Sequence, residues 1–157
     1  GPAADEVKAY WKLFEKTRME FVAEVPHRLR AFALHEKYTP ELLAEAEALL
    51  EKAEAKVDGV SAKYAERVEY VRNGLEFTKL VIDTRRLMEQ YEAGDAEAGE
   101  KVKANYAIAE GMKKTFPAFA INWWGVFRDD NVPAIGMHPD NPLSGRTLRE
   151  YQQEYQE

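Results

Sequence analysis

Apolar residues recur along most of the chain in steps of three and four, the spacing that gathers them on one face of an α-helix. From about Asp5 to Glu24, Val7, Tyr10, Trp11, Phe14, Met19, Phe21 and Val22 form a broad apolar face, and Pro26 stops the helix. Trp11, with Tyr10 and Phe14, is expected in the core, because a bundle needs such an aromatic stripe. A shorter helical piece is expected over 28–37, with Leu29, Phe32 and Ala33 inward and Leu34 a further candidate. Thr39-Pro40-Glu41 is a start signal: a threonine cap, a proline where its missing N–H does no harm, and an acid near the positive helix end. In the helix that follows, Leu42, Leu43, Ala46, Leu49, Leu50, Ala53 and Val57 keep to one face. Glu45, Glu47, Glu51, Lys52 and Glu54 occupy the other.

Asp58-Gly59 breaks that helix, and Ser61 opens the longest one. Tyr64, Val68, Val71, Leu75 and Ile82 mark its apolar face, widened by Tyr70, Phe77, Leu80, Val81, Leu87 and Met88, which predicts a central position. Gly74 within it lowers helix propensity by ~1 kcal/mol and predicts a kink or a close helix contact. Gly94 ends the helix, and Asp95 caps another that runs to about Thr115 through Val102, Tyr106, Ile108, Ala109 and Met112. Pro117 then marks a change to an aromatic stretch, and Pro133, Gly136, Pro139 and Pro142 suit an ordered loop over 125–145. A last short helix fits 147–156. No strand-pairing pattern appears. The expected fold is all-α: one antiparallel helical bundle over residues 1–157, with 116–145 as an irregular, aromatic, Pro/Gly-rich cover.

With 157 residues, 45% of them hydrophobic and 32% charged, the chain can bury a real core. Its net charge of -6 counts against nucleic acid, whose phosphates must be neutralised by Lys and Arg. Arg28-Leu29-Arg30 and Arg85-Arg86 are the basic spots, and such pairs usually make surface ion pairs. With no cysteine there are no disulfides, thiolate metal sites or Cys nucleophiles. No apolar run approaches the length of a membrane span, so no membrane partner is expected, and the N-terminus lacks the basic-then-apolar order of a signal peptide. Gly1-Pro2 reads as the scar of a cleaved expression tag, which would leave a longer natural protein.

Candidate chemistry gathers in the tail. Trp123, Trp124 and Phe127 offer flat faces on which the C–H patches of a pyranose ring could stack, and Arg128, Asp129 and His138 could hold its hydroxyls. The competing reading is that both tryptophans cap the open end of the bundle, and that Asp129-Asp130-Asn131 is a turn cluster. Glu24-Val25-Pro26-His27 matches the Glu-x-x-His of di-iron bundles, but it occurs once and Pro26 breaks its helix, so no metal is expected. Glycosidase chemistry needs two carboxylates across a sugar-sized gap, and the 28 acids mostly belong to solvated helix faces. Phosphate-loop and nucleophile motifs are absent, and neither catalysis nor a cofactor is expected.

Three stretches carry a resemblance: Tyr10-Trp11-Lys12-Leu13-Phe14-Glu15, then Tyr38-Thr39-Pro40-Glu41-Leu42-Leu43 with Ala46-Glu47-Ala48-Leu49-Leu50-Glu51-Lys52-Ala53-Glu54, then Arg67-Val68-Glu69-Tyr70-Val71-Arg72 and Leu75-Glu76-Phe77-Thr78-Lys79-Leu80. Over roughly the first 90 residues the chain resembles the C-terminal helical region of large bacterial proteins related to α-glucuronidases and other glycoside hydrolases. The resemblance implies an accessory domain next to a catalytic domain in the same parent chain, located outside the cell or in the periplasm. The leading expectation is a non-catalytic module that binds a polysaccharide or oligosaccharide through the tail residues. The alternative is a structural helical domain packed against the catalytic one, which should leave an exposed apolar patch on the bundle.

Overall fold

The computed structural model describes residues 1–24 and 34–115, and every described element is helical. Five helices follow in order: α1 (Ala4–Glu24), the single turn α2 (Leu34–Lys37), α3 (Pro40–Val57), α4 (Ala62–Glu92) and α5 (Ala96–Thr115). The chain divides into two compact units, Gly1–Lys79 and Leu80–Glu157, and α4 contributes residues to both.

The ends of these helices follow from local hydrogen-bond chemistry. Thr39 caps α3 as expected: its backbone is extended and its hydroxyl accepts from the Leu42 amide at 3.3 Å, with Pro40 in the first helical position. Beyond α3, Asp58 (φ -58, ψ 128) and Gly59 (φ 66) form the centre of a type II turn, closed by the Val60 amide donating to the Val57 carbonyl at 3.1 Å. At the end of α4, Gly94 (φ 105) lets the Asp95 amide reach the Gln90 carbonyl and the Gly94 amide reach the Tyr91 carbonyl. That is the paired bonding of a Schellman stop. Asp95 then caps α5, accepting from the Glu97 and Ala98 amides at 2.9 and 3.2 Å. Across Gly74 α4 runs as one uninterrupted helix, where the Thr78 hydroxyl donates to the Gly74 carbonyl.

In the first unit, α3 presents Leu43, Ala46, Leu50, Ala53 and Val57 inward, the face its spacing predicts. Lys56, near the end of α3, pairs with Glu6, near the start of α1, and Lys37, in α2 just ahead of α3, pairs with Glu24 at the end of α1, so α1 and α3 run antiparallel. Arg72 pairs with Glu54 and Lys79 with Glu47, so α3 and α4 are antiparallel too. Ala3 and Val7 pack with Ala53, Val57, Val68 and Tyr64 at one end of the three helices. Tyr10, Phe14 and Tyr38 continue the core as a chain of rings with centroids 4.9 and 5.4 Å apart. In the second unit, Leu87 and Met88 of α4 pack on Ala98 and Val102 of α5, again antiparallel.

Several expectations need correction. Trp11 is not core: it stands 57% exposed, Met19 69% and Val22 39%. The reason is angular. The buried line of α1 runs through Tyr10, Thr17 and Phe21, and each residue step turns the helix about 100°, so Trp11 points well away from α3. The apolar face of α1 is wider than its neighbours cover. Tyr70 and Ile108 are likewise exposed. Arg85, expected on the surface, is 1% exposed.

Candidate functional site

Trp123, Trp124, Phe127, Arg128, Asp129 and His138 all lie outside the described residues, as do Arg28, Arg30 and His27. The described residues hold three other places where chemistry could gather.

The first is a charged clamp between α3 and α4. Arg72 donates to both carboxylate oxygens of Glu54, at 2.7 and 2.9 Å, a planar two-bond match. Glu47 and Glu76 stand 3.6 and 3.8 Å from the same guanidinium, and Lys79 joins Glu47 at 3.2 Å and Glu76 at 3.5 Å. The hydrogen bonds that Arg72 donates to Glu54 hold its guanidinium above the usual range, against the opposing effect of burial. Beside it lies an open groove of about 430 Å³, lined by Glu54, Val57, Asp58, Ala65, Glu69 and Arg72. The Arg72 cation is engaged by carboxylates, so this cluster ties two helices together and offers a ligand little.

The second is a buried polar group in the unit formed by α4 and α5. The Asn105 amide nitrogen donates to Asp83 at 2.8 Å and to the Thr84 hydroxyl at 3.1 Å, and Thr84 donates to the Leu80 carbonyl at 2.7 Å. Arg85, next in sequence, is almost wholly buried, and burial lowers its pKa against the opposing pull of Glu89 and Glu92 one and two turns on. Among the described residues no three of His, Cys, Asp and Glu are grouped to hold a metal ion, and no described helix is long and apolar enough to cross a membrane.

The third is the outward side of α1. Trp11 meets Tyr10 edge to face, with centroids 5.2 Å apart and planes at 84°, so the exposed indole is braced by a buried ring. Exposed Lys8 and Glu15 stand one turn before and after it, exposed Lys12 is its neighbour in sequence, and further along lie Arg18, Met19 and Val22. Sequence reasoning assigned these apolar residues to the core. The signal that separates them is the spacing of Trp11, Glu15, Arg18 and Val22, which mixes charge and apolarity on one line. Comparison of the chain with protein-family models, with curated proteins and with solved structures finds no match.

Proposed function

We propose that this chain is a non-catalytic accessory domain that works by docking, with the outward side of α1 packed against another protein surface. The observation that carries this is that Trp11, Met19 and Val22 stand exposed on the outward side of a helix whose Tyr10, Thr17 and Phe21 are buried. Removing such side chains from water stabilises a complex by ~25 cal/mol for each Å² of apolar surface covered. A ring already braced by Tyr10 loses little freedom on docking. The resemblance to the helical region that follows glycoside hydrolase domains offers one candidate for that surface, a catalytic domain in the same parent chain, and a second copy of the chain is another. Trp11 and Met19 are the side chains most readily oxidised by hydroxyl radicals, which gives a direct test. Both should be modified in the isolated domain at high dilution and protected in the longer parent protein. Full modification of both residues in the two proteins would remove the docking reading.

A second reading, glycan binding by the accessory module of a polysaccharide-degrading enzyme, is favoured by Trp11 itself. An exposed indole offers a sugar ring a stacking face, and Lys8, Lys12 and Glu15 offer partners for hydroxyls. The same reading assigns Trp123, Trp124 and Phe127 as a tail platform, with Arg128, Asp129 and His138 as polar partners, in a protein outside the cell or in the periplasm. A polysaccharide array probed with wild type and with Trp11→Ala, Trp123→Ala and Trp124→Ala decides it. Binding that disappears in a folded variant locates the platform, and no binding by folded wild type ends this reading.

A further inference from the structure

We infer that the occupant of the outward line of α1 is a second copy of this chain, paired antiparallel across a two-fold axis. The inference rests on the docking reading of that line and names its partner.

Trp11, Glu15, Arg18 and Val22 are all at least partly open to solvent and are separated by steps of four, three and four residues. At about 100° per residue they fall within an arc of roughly 60°, the narrow seam along which two helices pack. The order four-three-four reads the same in both directions, so the seam is symmetric about a point between Lys16 and Thr17. A two-fold axis through that point and perpendicular to the helix lays the seam on its own copy. Trp11 then meets the second copy's Val22, and Glu15 meets the second copy's Arg18. Each pair occurs twice, as an isologous interface requires.

The charges also choose the direction. A parallel pairing sets Glu15 against Glu15 and Arg18 against Arg18, which repel, whereas the antiparallel pairing converts both into attractions. Exposed Lys12 and Met19 flank the seam on the solvent side and half-buried Phe14 flanks it on the core side. A second helix therefore finds apolar surface on both shoulders.

The seam covers about three helical turns, roughly 16 Å, which puts the contact at the small end of specific interfaces and makes the association weak. Sedimentation velocity of the full chain from about 10 μM to about 1 mM spans the affinities such a contact can give. The expected result is a monomer–dimer equilibrium. Arg18→Glu sets carboxylates against each other at both ion pairs and should weaken association at least about tenfold. The double exchange Glu15→Arg with Arg18→Glu restores opposite charges and should restore the dimer, while Trp11→Ala should abolish it. All these positions are on the surface, so helicity by circular dichroism should match wild type.

A chain that is monomeric over the whole range overturns the inference. So does a dimer indifferent to Arg18→Glu, or one not recovered by the double exchange. A monomer whose Trp11 and Met19 are protected only in the longer parent protein overturns the dimer and leaves the docking reading standing. Modification of both residues in every setting removes both.

Discussion

A tryptophan that stands 57% exposed contributes to folding mainly through the edge it shares with Tyr10, a contact between rings 5.2 Å apart. Trp11→Ala should therefore cost only about 0.5–1.5 kcal/mol, the usual worth of an aromatic pair beyond its area. A tryptophan buried in the core would cost about 3–5 kcal/mol. Leu50, with no exposed surface in the same three-helix unit, provides the comparison: Leu50→Ala should cost about 2–5 kcal/mol. Urea unfolding of the two variants measures both. If Trp11→Ala proved as damaging as Leu50→Ala, Trp11 would be a core residue and the docking line would vanish. Periodicity alone could not separate Tyr10 from Trp11. Both are large, apolar and adjacent, and a residue step of about 100° leaves one facing α3 and α4 while the other faces water. Which of them is covered depends on where those helices lie, and that is a tertiary fact.

Helix ends depend on bonds reaching only a few residues, and there the sequence was far more legible. Thr39, Gly59, Gly94 and Asp95 each do what their chemistry predicts, because a cap or a positive φ leaves few residue choices. Gly94 is the more exacting of the two glycines. At φ 105 it lies beyond the left-handed region that other residues enter at modest cost, although nothing lies within 4 Å of where a Cβ would stand. Gly94→Ala should then destabilise by about 1–3 kcal/mol through the backbone alone. Gly59→Ala, at φ 66 and equally open, should cost less, about 1–2 kcal/mol. Thermal unfolding of the two variants checks the order. Equal losses would show that the Schellman stop after α4 adjusts freely. Less visible in the pattern was how α4 is shared. Its apolar face continues through Lys79 and Leu80, where the two compact units divide, because helix periodicity records burial and not the identity of the neighbour.

For the whole molecule, the candidate site was the least legible part. The tail residues expected to hold glycan lie outside the described residues, and periodicity places Trp11, Met19 and Val22 on the same apolar face as the buried Tyr10 and Phe21. A site that works by shape and exposure leaves no motif, whereas the buried rings that support it change how the protein answers to pH. Burial, with a smaller push from Tyr38, raises the Tyr10 hydroxyl from 10.0 to about 12, and Arg72 opposes the rise only weakly. Burial raises Tyr38 in the same direction against Arg18. The unfolded chain therefore releases the Tyr10 proton near pH 10, while the folded chain holds it until about pH 12. Between those values the native state binds more protons, so stability falls as pH rises. The contribution is intact below pH 10 and is lost progressively toward about 12. Exposed lysines held up by carboxylates, such as Lys37 and Lys56, act with the same sign, and they are common to wild type and variant. Tyr10→Phe keeps the ring and removes the ionising group, so its unfolding free energy should decline less steeply than wild type across pH 10 to 12. Urea titrations at several pH values, with absorbance at 295 nm to follow tyrosinate, give both curves. Parallel declines would mean that Tyr10 titrates no higher in the folded chain than in the unfolded one, and that the ring bracing Trp11 is not buried.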